Sequence, residues 1–168
     1  MPPKTRITKD MIINAAMEIA KQSGYESINA RTVSERLHCS TQPVMYHFST
    51  IDAMKRAAYA KADHLHTEYL MTTIPGQDPV LGIGLNYIRF AVEQPQLFRF
   101  LFQSGYAQEH SLLEMIDSEE LIPILDAMRE GSGLRMEKTK QIFLTVALFA
   151  HGYASLIANN GLAYDERL

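Results

Sequence analysis

The chain has 168 residues, 46% of them hydrophobic and 21% charged, with a formal net charge of −3 at pH 7. That is enough apolar material for one or two small domains with a sizeable core, and it excludes an intrinsically disordered chain. No apolar run reaches the ~18 residues needed to cross a bilayer, and the basic start Pro3-Lys4-Thr5-Arg6 leads into no signal-like segment. The single Cys39 offers neither an internal disulfide nor a metal cluster, so a soluble, cytoplasmic protein without metal or cofactor is expected. Charge is unevenly spread: up to Lys61 nine Lys and Arg stand against five Asp and Glu, a balance of about +4, which leaves about −7 for the rest. A basic head on an acidic body suits a module that touches phosphates while the remainder is kept off them.

Ahead of the first predicted helix, Lys4 and Arg6 sit on an arm able to reach a minor groove or a phosphate. Thr8 suits that helix's N-cap with Ile7 as a staple; Ile12, Ala15, Ala16, Ile19 and Ala20 follow at helical spacing, and Gly24 stops it. Asn29 caps a second helix, on which Val33 and Leu37 lie four apart with Ile28 just outside. The pattern breaks at His38-Cys39, and Ser40 offers the next N-cap. Pro43 falls in the first turn of the third helix, where its missing N–H breaks no bond. Val44 and Phe48 can pack back, leaving Thr41, Gln42, Tyr46 and His47 facing outward. Two short helices joined by a tight turn, the second polar at its front, match a helix-turn-helix. Any helical hairpin also has polar outer positions, so on the pattern alone groove reading and a plain hairpin are both open.

Ser49-Thr50 caps a long helix to about Thr72, with Met54, Ala57, Ala58 and Leu65 as packing residues; ~20 residues span ~30 Å, enough to join two halves. His64 and His66 are two apart and share no face, which argues against a metal pair. Ile74-Pro75-Gly76 ends this helix, and Asp78-Pro79 opens another to about Gln94, with Tyr87, Ile88, Phe90 and Ala91 among its apolar set. A short aromatic helix from Gln96 to Phe102 follows, then a loop at Ser104-Gly105 and a helical turn or two over Leu112–Ile116. A helix from Ser118 ends before Gly131, and the most apolar one runs from about Glu137 to Asn160 with Gly161 as its closing residue. No segment alternates with period two, so the chain is all-α.

On Thr8 through Ala20, Gly24-Tyr25 and the hairpin ending His47-Phe48, the segment from Ile7 to Met54 resembles the N-terminal domain of the TetR family of transcriptional regulators. The run Ser40-Thr41-Gln42-Pro43 is a recurrent variant in that family. Three positions depart from its pattern: Met45 stands where Tyr is usual, His38 where Gly is usual and Ile51 where Lys is usual. The family's Tyr and Lys commonly touch phosphate; Tyr46 and Lys55 are the nearest substitutes. Tyr87–Phe102 and Phe149–Leu156 resemble the C-terminal domain of one branch, whose Trp-His-Gly signature is here Phe149-Ala150-His151-Gly152, without the Trp.

The resemblance implies about nine helices: a DNA-binding head of three, residues 1–48, and a helical ligand-binding and dimerisation domain, residues 49–168, with 49–72 as connecting helix. It implies a ligand-responsive regulator, a repressor released from a palindromic operator by a small molecule. Thr41, Gln42 and Tyr46 would meet base edges, and Lys4, Arg6, Arg31, Ser40, His47, Thr50 and Lys55 would hold phosphates. An inducer pocket is implied in the body, where Phe90, Phe98, Phe102, Tyr106, Met115, Phe143 and Phe149 supply an aromatic, sulfur-rich interior and His151 a polar group. The same residues also read as ordinary core, and His151 as a structural histidine.

The last two helices, about 118–130 and 137–160, are apolar over more of their circumference than one core needs, with Ala147, Ala150, Gly152 and Ala154 allowing close approach. A homodimer through them is expected. No Ser/His/Asp, Cys/His or metal-spaced carboxylate arrangement stands out, so no enzyme is expected. The rival reading is a helical protein–protein adaptor that has lost sequence-specific DNA binding, suggested by the missing Tyr and Lys.

Overall fold

The computed structural model describes residues 7–106 and 116–165. Among them the chain is all-α: α1 (Lys9–Ser23), α2 (Ala30–Arg36), α3 (Thr41–His47), α4 (Ile51–Leu70), α5 (Pro79–Glu93), α6 (Pro95–Gln103), α7 (Ile122–Ser132) and α8 (Met136–Ala158). Short 3-10 turns occupy Tyr25–Ser27 and Glu119–Leu121. The helical turn expected over Leu112–Ile116 lies, apart from Ile116, outside the described residues. The chain divides into two compact units, Met1–Thr67 with Gln94–Ala107, and Glu68–Glu93 with Gln108–Leu168.

The first unit is assembled around α1, which α2, α3 and α6 all contact. Thr8 caps it, its Oγ accepting the Met11 N–H at 3.2 Å. Ile12, Ala15, Ala16, Ile19 and Ala20 form its buried stripe, and the alanines let three helices come close. Gly24 ends it at φ 85, where an added Cβ would stand 2.9 Å from Glu26 Oε2 and 3.3 Å from Gln96 Oε1. Only glycine meets both demands there. By its contacts α6 belongs to this unit. Its Phe100 ring stacks on Tyr25 at 5.3 Å between centroids, and the Tyr59 hydroxyl donates to the Leu101 carbonyl at 3.1 Å. Along α4, Met54, Ala58, Ala62 and His66 are buried at four-residue spacing. The sequence predicts Leu65 on that face; the i, i+4 row selects His66 instead, and Leu65 is half-buried.

In the second unit α5 runs along α8, and α7 packs on both. Asp78 opens α5 by accepting the N–H groups of Val80 at 2.9 Å and Leu81 at 3.2 Å. α7 starts at Ile122, after the 3-10 turn, and not at Ser118. It also runs past Gly131 to Ser132, because Gly133, at φ 67, is the residue that takes the left-handed cap. At the end of α8 the left-handed position expected for Gly161 is held by Asn160, φ 57. Gly161 N–H then reaches the Leu156 carbonyl at 2.8 Å and Asn160 N–H that of Ile157 at 3.0 Å, a Schellman closure.

One further expectation is corrected by α8. Phe149, predicted inside, is 76% exposed in the single chain. By length and composition alone α8 also qualifies as a membrane span, its best 18-residue stretch averaging a mean hydropathy of 1.5. Scattered Gln, Thr and His interrupt a strict apolar run there without lowering the average much.

Candidate nucleic-acid interface

The hairpin is built from local hydrogen bonds. Asn29 Oδ1 accepts the N–H groups of Arg31 and Thr32, both at 3.0 Å, while Thr32 Oγ1 accepts the Asn29 N–H at 3.1 Å. This is a capping box with Thr in the position usually given to Glu or Gln. α2 closes with His38 in the left-handed region at φ 52. Cys39 N–H returns to the Ser34 carbonyl at 3.0 Å and His38 N–H to that of Glu35 at 3.2 Å. That backbone conformation is the physical reason for a glycine at this position in the family pattern. Ser40 stands at the N-cap of α3 by backbone conformation only; its side chain makes no capping bond.

Val44 and Phe48 are buried and hold α3 against its neighbours. Thr41, Gln42 and Tyr46 are left exposed, Gln42 and Tyr46 four apart on one outer face. Tyr46 is 85% exposed, a large aromatic ring with almost no cover from its own chain. Met45, where the family pattern has Tyr, is also exposed beside it.

The residues expected at phosphates are placed differently from one another. Arg31 is exposed and paired with Glu35 at 2.8 Å; such a pair is weak in water and exchanges readily. Thr50 Oγ accepts the Ala53 N–H at 3.1 Å, capping α4. Lys55 Nζ lies 5.7 Å from the centroid of the Tyr25 ring. His47 is half-buried, with Nε2 3.0 Å from the Ile7 carbonyl oxygen. Lys4 and Arg6 lie outside the described residues. One cation escaped the sequence reasoning: Lys9 Nζ sits 5.3 Å from the Phe48 ring centroid, beside the end of α3. A lysine in the first turn of a helix reads as solvated, and nothing local announces a contact so distant in sequence.

The residues expected to line an effector pocket fall in both units. Phe98 and Phe102 pack ring on ring at 4.7 Å, and Tyr106 lies against Phe100 at 5.9 Å, all in the first unit. Phe90 is buried and Phe143 half-buried in the second, and Met115 lies outside the described residues. His151 Nδ1 is 2.7 Å from the Tyr87 hydroxyl and its Nε2 is 3.4 Å from Ser155 Oγ. Burial pushes the His151 imidazole below its ordinary range and the Tyr87 phenol far above its own. Two clefts open in the second unit. One of about 330 Å³ includes Val80, Met128, Leu134, Thr139 and Ile142 in its wall. The other, about 210 Å³, is walled by Ile116, Asp117, Ile122, Leu125, Met136 and Lys140. None of the expected pocket residues lines either cleft.

Residues 80–167 match the family model described as the tetracyclin repressor-like C-terminal domain. The chain is also 22% identical, over 171 positions covering 99% of it and 87% of the relative, to the uncharacterized HTH-type transcriptional regulator YobS of Bacillus subtilis (strain 168). The matched domain takes up more than half of the sequence and follows a capped pair of short helices joined by a left-handed turn. On these grounds the chain belongs to the TetR family of transcriptional regulators.

Proposed function

We propose that this DNA-binding regulator is a repressor that grips a palindromic operator as a homodimer and lets go when a small molecule occupies its second unit. The observation that carries the reading is the exposed face of α3, where Gln42 and Tyr46 stand clear while Val44 and Phe48 anchor the helix from behind. Gln42 suits bidentate pairing with adenine, and Thr41 and Tyr46 suit contact with a thymine methyl. Arg31, Ser40, Thr50 and Lys55, with Lys4 and Arg6 on the arm, hold phosphates and make affinity salt-dependent. Residues 1–48 form the reading head, and 49–168 the regulatory domain.

The dimer forms through α7 and α8. Val146, Phe149 and Leu156 offer an exposed apolar face, and at Gly152 an added Cβ would meet nothing within 4 Å of its own chain, which leaves room for a second backbone. A two-fold pair must set its α3 helices about 34–36 Å apart to reach successive major grooves. An effector held in a cleft of the second unit, where Val80, Met128 and Ile142 stand in the wall, changes that spacing through α4. By linkage, DNA then lowers affinity for the effector by the same factor.

Fluorescence anisotropy with duplex from the region upstream of the chain's own coding sequence tests the reading. Gln42→Ala and Tyr46→Ala should each weaken binding roughly 10- to 100-fold on that duplex and leave binding to a scrambled one unchanged. Equal affinity for both duplexes in the parent chain at about 150 mM salt would favour the adaptor reading instead.

A further inference from the structure

We infer that Lys9 is a phosphate-binding residue of the DNA interface, held beside the end of α3 by the ring of Phe48. The inference rests on the reading of α3 as the DNA-contacting helix.

Lys9 is the first residue of α1, and Phe48 is the residue that closes α3. Lys9 Nζ lies 5.3 Å from the Phe48 ring centroid. Phe48 is itself held in the core, 5% exposed, so its ring is a fixed platform. The two helix ends also meet at His47, whose Nε2 is 3.0 Å from the Ile7 carbonyl oxygen. The His47 ring in turn stands edge-on to that of Tyr46, with 5.4 Å between centroids. A short row of contacts therefore joins Lys9 to the outer face of α3. A helix seated in the major groove has a phosphate backbone along either rim, and a cation at its end stands at such a rim.

Two features separate Lys9 from other charges of the head. Arg31 is paired with Glu35, Arg36 with Glu18 and Arg56 with Asp52. No carboxylate among the described residues pairs with Lys9. The π face of Phe48 steadies the ammonium without neutralising it, so the charge stays available to an anion. Asp10 follows directly, but consecutive residues of a helix project about 100° apart. Lys9 also breaks a local rule. The first turn of a helix is its positive end, where acidic side chains are stabilising and a cation is not. A cation kept there, and steadied by a ring from another helix, fits a residue placed for what it binds. Its side chain then has less freedom to lose when the duplex arrives.

The test uses the full chain and a duplex that the parent chain selects from a random pool, with a scrambled duplex beside it. Anisotropy titrations at several salt concentrations compare Lys9→Met, which keeps a long stem over Phe48, with Lys9→Arg, which keeps the charge. Lys21→Met, which removes the same charge from the last turn of α1, is the control. Lys9→Met should weaken binding about tenfold and flatten the salt slope by about 0.9 for each copy bound. The loss should be the same on both duplexes, because a phosphate contact reads no sequence. Arg should restore affinity and slope, and Lys21→Met should change neither. An unchanged slope in Lys9→Met, or an equal change in Lys21→Met, overturns the inference. Without DNA, Lys9→Met should melt with the parent, since relief at the positive helix end offsets the lost cation–π contact. A fall in Tm that accounts for the weaker binding marks Lys9 as structural and likewise overturns it.

Brief acetylation followed by mass spectrometry gives a readout at the residue itself. Bound duplex should protect Lys9 and leave Lys21 reactive; a Lys9 that stays reactive in the complex overturns the inference. A pool that yields no preferred sequence overturns base reading by α3, while protection and salt slope on any duplex still decide the Lys9 contact.

Discussion

The side-chain amide of Asn86 donates to the Thr72 carbonyl at 2.8 Å, and the same nitrogen reaches the Leu70 carbonyl at 3.2 Å. α4 ends at Leu70, where the last carbonyls of a helix have no donor of their own. A buried residue of α5 thus completes the end of α4. Replacing it with leucine strands these acceptors, and Asn86→Leu should destabilise the fold by about 1–3 kcal/mol. Asn86→Asp should do at least as much harm, since a carboxylate cannot donate to a carbonyl. Urea denaturation monitored by circular dichroism measures the change; an unmoved midpoint in both variants would show that the bond contributes nothing.

No local pattern announces Asn86, and that marks where the sequence stops being legible. Thr8, Asn29 and Asp78 were readable as caps because each bonds to backbone within three residues of itself. The outward face of α3 was readable because Val44 and Phe48 sit at helical spacing and fix which side is buried. Helix ends were harder. Asn160 and Gly161, or Gly131 and Gly133, can each take the left-handed position, and residue type alone does not choose between them. His66 stands on the four-residue row of α4 with Met54, Ala58 and Ala62, and its polarity hides it from a search for apolar spacing. The His47–Ile7 and Tyr87–His151 bonds join residues far apart in sequence, so only the folded chain brings them together.

His38 carries the left-handed turn between α2 and α3 on a side chain that disfavours it. The steric penalty for a non-glycine residue there is about 1–2 kcal/mol, partly offset by the greater freedom of glycine in the unfolded chain. His38 is exposed, so no packing is lost on its removal. His38→Gly should therefore stabilise the fold by about 0.5–1 kcal/mol net, and Asn160→Gly by less, because Asn tolerates this region better. Thermal unfolding of the two variants side by side checks the order; a lower Tm for His38→Gly contradicts it.

His66 makes acid stability readable. Burial pushes its imidazole down to about 4, against an ordinary value of about 6.5. As pH falls through 6.5 the unfolded chain takes up a proton that the folded chain refuses. Between about 6.5 and 4 the unfolded state holds more protons, so stability declines as pH falls. The contribution is intact above 6.5 and lost by about pH 4, on the order of 2–3 kcal/mol. His66→Met, which keeps the buried row on α4 apolar, should flatten this part of the profile. The difference between parent and variant in urea midpoints at pH 7, 5.5 and 4.5 isolates it from the carboxylates, which titrate in both. Parallel profiles would show that His66 takes no part.

Phe149 is the sharpest test of the dimer. It is 76% exposed in the single chain, and Val146, Leu148 and Leu156 are exposed around it. Exposed apolar side chains gathered on one helix mark a contact region. In the proposed two-fold pair each Phe149 is covered, which is worth about 1.5–3 kcal/mol per fully buried side chain, and symmetry doubles the effect of any change. Phe149→Glu replaces that gain with two carboxylates that must be desolvated or kept apart. The variant should sediment as a single chain of 19.0 kDa, and the parent, if it forms the proposed pair, at twice that mass. Its helical content should be unchanged, because a ring this exposed supports little of its own protomer. Operator affinity should fall with the mass, since a lone hairpin makes few contacts. A variant that stays dimeric while Ile122→Glu does not would move the interface towards α7, and a parent chain that is monomeric at micromolar concentration would remove the dimer from the proposed mechanism.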